Sequence, residues 1–227
     1  MHMTKLTSLI VILLSLNFSL FSQNFLNTSG KSIVNQNGDT IILRGMGLGG
    51  WMVQEGYMMA PDGFSSTQYQ IKDRLIELIG AEETDIFYDN WLSNHVRKID
   101  IDSMKQWGFN LVRAPIHYNL FTEPIEKEPF PNAYTQKEIG FTLLDSLLSW
   151  CEQNEIYLMI DLHAAPGGQG YNADISDYDP TKPSLWESTL NQNKTVELWR
   201  RIAERYKDKE WIAGYDLINE PNWDIPG

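Results

Sequence analysis

Two kinds of stretch alternate along the chain. Short, nearly continuous apolar runs occupy residues 109–115, 156–163 and 211–218. Longer stretches between them carry apolar residues every three or four positions. The first kind predicts strands buried on both faces, the second amphipathic helices. A helical region is expected over 68–107, with a break near Gly80, an apolar face through Leu92, Val96, Ile99 and Met104, and a stop at Gly108. A second helix is expected over 136–154, burying Phe141, Leu144, Leu148 and Cys151, and a third over 193–206, burying Val196, Trp199, Ile202, Ala203 and Tyr206. Near the start, residues 33–43 alternate around Asn37-Gly38, a strong hairpin-turn signal. The second arm runs on into Arg44-Gly45-Met46-Gly47-Leu48-Gly49-Gly50-Trp51.

Strand and helix in alternation predict an α/β fold with a parallel sheet. The long Gly/Pro/Asp-rich loops follow the strands rather than precede them, and Arg113, His163 and Glu220 all fall where a strand is expected to end. Both facts favour a (β/α)₈ TIM barrel, whose ligands bind at the carboxyl ends of the strands.

Composition narrows the partners. The 227 residues suit one domain of moderate size, and 30 Asp+Glu against 18 Lys+Arg give a net charge of -12. Such a surface argues against nucleic acid and suits neutral substrates such as sugars. Residues 1–22 read as a cleaved signal peptide, with Lys5, an apolar run to Phe21 and the small Ser22 before Gln23. The run is short and interrupted by Ser and Asn, so stable membrane insertion is not expected. Cys151 is the only cysteine. It cannot form an internal disulfide, so stability must come from a core. The expectation is a secreted or periplasmic bacterial protein.

The chemistry concentrates at the strand ends. Asp216-Leu217-Ile218-Asn219-Glu220-Pro221 closes the last run. Proline biases its predecessor toward extended backbone, so Glu220 is expected to point from the strand end into a cleft. A solvated glutamate in a plain turn would leave the same six letters. Arg113 could hold a carboxylate ionised, and would otherwise form an ordinary salt bridge. His117 and His163 could join Glu220 at a metal, but no H-x-H or H-E-x-x-H spacing exists, and no metal is expected. Residues 45–50 fit G-x-G-x-x-G, yet no helix opens after them and no second strand follows within about 20 residues, so the dinucleotide reading fails on context. Cleaving a glycosidic bond needs one protonated and one ionised carboxyl group. Glu220 is the best candidate for the first, and Asn219 could bond the neighbouring sugar hydroxyl. Trp51, Tyr171, Tyr178, Trp186 and Trp223 lie in loops where rings could stack on sugars, with about half expected to pack inward instead.

Together these motifs resemble glycoside hydrolase family 5, the cellulase-like (β/α)₈ glycosidases. Leu217-Ile218-Asn219-Glu220-Pro221 is similar to the family's acid/base motif at the end of strand four. Residues 109–115 resemble the strand-two motif with its active-site arginine, Arg113, and Asp161-Leu162-His163 followed by Ala164-Ala165-Pro166-Gly167-Gly168-Gln169 resembles the strand-three motif, with its histidine near the reacting sugar. Residues 44–51, continuing to Glu55, are similar to strand one of the exo-β-1,3-glucanase branch, where the matching glutamate contacts the terminal glucose. The resemblance implies a retaining hydrolase of a β-glucan or oligosaccharide, with Glu220 as acid/base, Asn219, Arg113, His163 and Glu55 binding substrate, and no metal or organic cofactor. It implies further that residues 23–227 are the amino-terminal half of the catalytic domain, strands one to four, and that the nucleophilic glutamate lies outside the chain. The linkage, β-1,3 or β-1,4, and exo against endo action stay open. The alternative is a non-catalytic carbohydrate-binding protein, which would show affinity without turnover.

Overall fold

The computed structural model describes residues 25–59, 63 and 65–224. The signal peptide expected at residues 1–22 lies outside them. The chain divides into two compact units, Met1–Ile41 and Ile42–Gly227.

In the first unit, β1 (Asn27–Ser29) and β2 (Ser32–Val34) pair antiparallel, with Asn27 opposite Val34. The Asn37-Gly38 turn is present, with Gly38 at φ 83°. The arm after it is a single bridge, Val34 to Thr40. The Asn35 carboxamide oxygen accepts the backbone N–H groups of Asn37 and Asp39, at 3.0 and 2.9 Å. The side chain thus satisfies amides that a longer ladder would have used.

The second unit is built on a four-stranded parallel sheet. Its strands are β3 (Gly45–Gly47), β4 (Leu111–His117), β5 (Tyr157–Ala164) and β6 (Ile212–Asp216), neighbours in chain order. Gly45 pairs with Leu111, Leu111 with Tyr157, and Leu158 with Ile212. Among the described residues, five helices of nine or more residues accompany the sheet: α1 (Gln68–Ile79), α2 (Ala81–Asn94), α3 (Lys98–Gln106), α4 (Glu138–Gln153) and α5 (Thr189–Tyr206). Thr67 and Gln70 form a capping box at the start of α1, and the Ser188 hydroxyl caps α5. Gly80, at φ 86°, separates α1 from α2. No helix among the described residues is long and apolar enough to cross a membrane.

One face of the sheet is a closed core. Val112, Ala114 and Ile116 of β4 and Leu158, Ile160 and Leu162 of β5 are buried with Phe141, Leu144, Leu148 and Cys151 of α4 and Leu198, Ile202 and Tyr206 of α5. Burial pushes the Cys151 thiol up to about 12, so it behaves as a small apolar group. The intervening residues of β4 and β5, Arg113, Asp161 and His163 among them, carry the polar chemistry.

Three expectations need correction. Ile99 is 56% exposed while Ile101 is buried, because His95–Arg97 separates α2 from α3 and the helical phase restarts there. On α5, Val196 and Ala203 are exposed, and the buried stripe is Asn191, Thr195, Leu198, Ile202 and Tyr206. Arg113 does not end its strand. β4 continues through Pro115 to His117, held by β5 on one side and on the other by the Met52–Ile116 bridge and the His117 N–H to the Met52 carbonyl, 3.3 Å. One missing ladder donor does not end a strand whose neighbours pair beyond it.

Candidate active site

Arg113 gathers the site. Its Nη2 lies 2.9 Å from Asp161 Oδ2, 3.0 Å from Asp216 Oδ2 and 2.8 Å from Asn219 Oδ1. β4, β5, β6 and the segment after β6 therefore meet on one guanidinium. Asp161 is fully buried and its Oδ2 accepts a second strong bond, from His163 Nδ1 at 2.7 Å. The other ring nitrogen, Nε2, stands 3.3 Å from Glu55 Oε1. Glu55 and His163 are both buried.

Burial works against a charged His163, but the hydrogen bonds and charges of Asp161 and Glu55 outweigh it and push its pKa up to about 9. Burial raises Asp161, against the opposing pull of His163 and Arg113. With two cationic donors on Oδ2, the shared proton belongs to the imidazole. Asp161 Oδ1 has no hydrogen-bond partner among the described residues.

Asn219 is fixed at three points. Its N–H donates to the Leu162 carbonyl at 3.1 Å, its side-chain oxygen accepts from Arg113, and its carbonyl accepts from Gln169 Nε2 at 2.9 Å. Its side-chain NH₂ faces the charged His163 ring at 3.4 Å. That NH₂ is the group left over for a ligand acceptor.

Glu220 follows directly, and here the sequence expectation fails in its geometry. The residue is exposed and its backbone is left-handed, with φ 42°, rather than extended. The cause is the anchoring on both sides of it: Asn219 to β5, and Asn222 bridging to Gly170. Glu220 makes no hydrogen bond to the Arg113 cluster among the described residues. Its charge does reach the mouth of the site. The Tyr57 phenol is raised by partial burial, by the charge and hydrogen bond of Glu55, and by the charge of Glu220.

The structure thus brings Arg113, His163, Asn219 and Glu55 into one bonded cluster, with Glu220 beside it. Asp216, Tyr57 and Gln169 belong to the same place and were missed. Asp216 heads the Asp216–Pro221 motif at the strand end, a signal that was available. Gln169 closes the strand-three motif of the resemblance, which gave it no role. His117 lies elsewhere: its Nε2 pairs with Asp177 Oδ2 at 2.9 Å and its Nδ1 accepts the Asn119 N–H at 3.1 Å. Among the described residues no group of three or more His, Cys, Asp or Glu could hold a metal. Residues 45–50 lead from β3 into buried Trp51, and the next helical turn begins only at Gly56.

The loop aromatics divide. Trp51 is core, its Nε1 donating to the Leu92 carbonyl at 2.8 Å, and Trp186 packs against the core with Nε1 on the Gln169 carbonyl at 2.9 Å. Tyr171 and Trp223 stack 4.1 Å apart at 15°, with Tyr178 edge-on to Trp223 at 5.1 Å. Tyr171 is half-exposed, so this pair offers an aromatic surface beside Glu220.

Charged side chains gathered at the carboxyl ends of parallel strands, with helices on the opposite face, define a (β/α)-barrel site. The chain belongs to glycosyl hydrolase family 5: residues 66–226 match the family described as "Cellulase (glycosyl hydrolase family 5)". It is 36% identical over 198 residues to a "Beta-xylosidase" of Phanerodontia chrysosporium, covering 87% of this chain and 39% of that one. It is 32% identical over 188 residues to a "Probable glucan 1,3-beta-glucosidase A" of Aspergillus niger, covering 82% and 42%. The chain therefore spans about two fifths of the length of these curated relatives. The crystal structure of rutinosidase from Aspergillus niger shares the fold, with a TM-score of 0.61 at 17% identity over 78% of this chain and 48% of that one.

Proposed function

We propose that the complete protein hydrolyses the terminal β-linkage of a β-glucan by a retaining mechanism. The observation that supports it is the Arg113–Asp161–His163–Glu55–Asn219 cluster with Glu220 next to it. Glu220 protonates the departing glycosidic oxygen as a second carboxylate attacks the anomeric carbon. A glycosyl ester forms, and the aglycone leaves with the proton. Glu220 then takes a proton from the water that cleaves the ester. Asn219 Nδ2 donates to the sugar hydroxyl beside the reacting carbon, and Glu55 accepts from the terminal sugar. Arg113 and His163 hold the cluster and keep its carboxylates ionised. Asp161 is bound to Arg113 and His163 and Glu55 to His163, so the nucleophile is assigned to a carboxylate other than these two.

Relatives named for glucan 1,3-β-glucosidase and β-xylosidase activity support removal of a terminal sugar, which is glucose if the substrate is a glucan and xylose if it is a xyloside. Residues 1–22 support export before the enzyme meets its glucan; amino-terminal sequencing of the secreted protein should then begin at Gln23.

In the complete protein, Glu220→Gln should keep the fold and lose about 10²–10⁴ in turnover of natural glucan. Turnover at the parental rate refutes the assignment. Affinity without any turnover by the parent protein favours the binding-protein alternative. Product profiles on laminarin and cellulose oligomers decide linkage and exo action.

A further inference from the structure

Gln169 is fully buried and lies in the loop after β5. Its carboxamide is used completely on the donor side. Nε2 donates to the His163 carbonyl at 2.7 Å and to the Asn219 carbonyl at 2.9 Å, while Oε1 accepts the Ala165 N–H at 3.1 Å. The reversed amide would set an oxygen against two carbonyls and an NH₂ against an N–H, so the orientation is determined by its neighbours.

The Asn219 carbonyl belongs to the peptide that joins Asn219 to Glu220. Holding that oxygen, with the Asn219 N–H already on Leu162, fixes the peptide plane that precedes Glu220, one of the two planes that together set its φ. A second anchor follows Glu220: Asn222 Oδ1 accepts the Tyr171 N–H at 2.7 Å, and Asn222 bridges to Gly170. The close approach needs a glycine, because a Cβ on Gly170 would press on the Asn222 carboxamide and on the Glu220 carbonyl. A left-handed backbone at a residue that is neither Gly, Asn nor Asp persists only where its surroundings over-determine it. Glu220 has such surroundings, and they come from Leu162 of β5 and from Gln169, Gly170 and Tyr171 in the loop after it.

We propose that Gln169 is a positioning residue: its carboxamide, with Asn222 as the outer anchor, clamps the backbone around Glu220 and aims the acid/base carboxyl at the leaving oxygen. The same NH₂ holds the His163 carbonyl, so the histidine and the glutamate are set by one side chain. This rests on Glu220 being the acid/base. The role of Gln169 is geometric, and it makes no contact with the reacting atoms.

The test uses the complete protein and kcat/KM, which reports the first bond cleavage alone. The probes are a 2,4-dinitrophenyl β-glycoside, which needs little protonation, and the phenyl β-glycoside of the same sugar, which needs it. The sugar is glucose or xylose, whichever the parent cleaves. Gln169→Glu and Gln169→Leu should lower kcat/KM for the phenyl substrate by about 10- to 100-fold and for the dinitrophenyl substrate by less than about threefold, since misplaced acid catalysis is worth up to 10²–10⁴. General loosening of the fold lowers both alike. Should the Gln169 variants fail to fold, the exposed Asn222→Ala decides, with the same selective loss at smaller size. Glu220→Gln is run alongside. If it loses activity selectively and the clamp variants lose both substrates equally or neither, the Gln169 proposal is overturned. If Glu220→Gln itself shows no selectivity, the acid/base assignment is what failed.

Discussion

An imidazole with a carboxylate at each ring nitrogen keeps its proton well past neutrality, and His163 is in that position, at 2.7 Å from Asp161 and 3.3 Å from Glu55. Its folded pKa, about 9, exceeds the unfolded value of 6.5. The native state therefore binds the proton more tightly. The resulting stabilisation is fully present below pH 6.5 and is lost as pH rises through 9. Its size is on the order of 3 kcal/mol, one pKa unit being about 1.4 kcal/mol. Denaturant unfolding of the complete protein across pH 6 to 10 should show that decline, and Glu55→Gln, by removing the negative charge of one of the two acceptors, should flatten it. An equally steep decline in Glu55→Gln would mean that Glu55 does not hold the proton. The motifs around His163, Asn219 and Glu220 were legible in the sequence because strand ends bounded by His, Pro and Gly carry the chemistry of such sheets. The φ of Glu220 was not, since it is set by Gln169 and Asn222, partners 51 and two residues away that no local rule connects to it.

Among the elements, strands and helices were readable wherever one apolar period ran unbroken. The stripe Phe141, Leu144, Leu148 and Cys151 on α4 lies buried as expected. On α5 the expected face was right for Ile202 and Tyr206, with Trp199 packed against the core, and wrong for Val196 and Ala203. Val196, Trp199, Ile202 and Tyr206 make an acceptable helical stripe, and so do Thr195, Leu198, Ile202 and Tyr206. Burial selects the second, because Asn191 and Lys194 are polar residues with partners waiting inside, and the Thr195 hydroxyl is satisfied by the Asn191 carbonyl of its own helix. Lys194 Nζ binds Glu128 and lies 3.2 Å from the Thr122 hydroxyl, and Asn191 Nδ2 donates to the Pro183 carbonyl at 3.0 Å. Hydrophobicity alone could not place polar side chains on the buried face. The rotation has a measurable consequence. Leu198→Ala should cost about 2–5 kcal/mol of unfolding free energy, the range for a truncated core leucine. Val196→Ala, at 69% exposure, should stay within about 0.5 kcal/mol. Equal losses at the two positions in chemical denaturation would return α5 to the face first expected.

For the molecule as a whole, the sheet sets the last expectation. Among the described residues its order is β3-β4-β5-β6, which leaves one side of β3 and one side of β6 without a strand. Four of the five residues of β6 are only partly buried, and Leu217 just beyond it is 61% exposed. Leu111 and Met159, which share the sheet face of Arg113, are likewise only partly covered. Unpaired strand edges beside uncovered apolar side chains are a template for association. Parallel strands make the two edges complementary, so the β6 edge of one copy can pair with the β3 edge of another, and a two-fold arrangement would satisfy both at once. We expect residues 23–227, expressed by themselves, to form dimers or larger assemblies at micromolar concentration and to release no sugar from β-glucan, because the carboxylate that would attack the anomeric carbon is not among Asp161, Glu55 or Asp216, each held in the Arg113–His163 cluster. Light scattering behind size exclusion measures the mass, and a reducing-sugar assay measures the activity. A monomer that melts cooperatively and cleaves β-glucan would show that the sheet is closed by means other than further strands, and that a retaining pair is already complete within these residues.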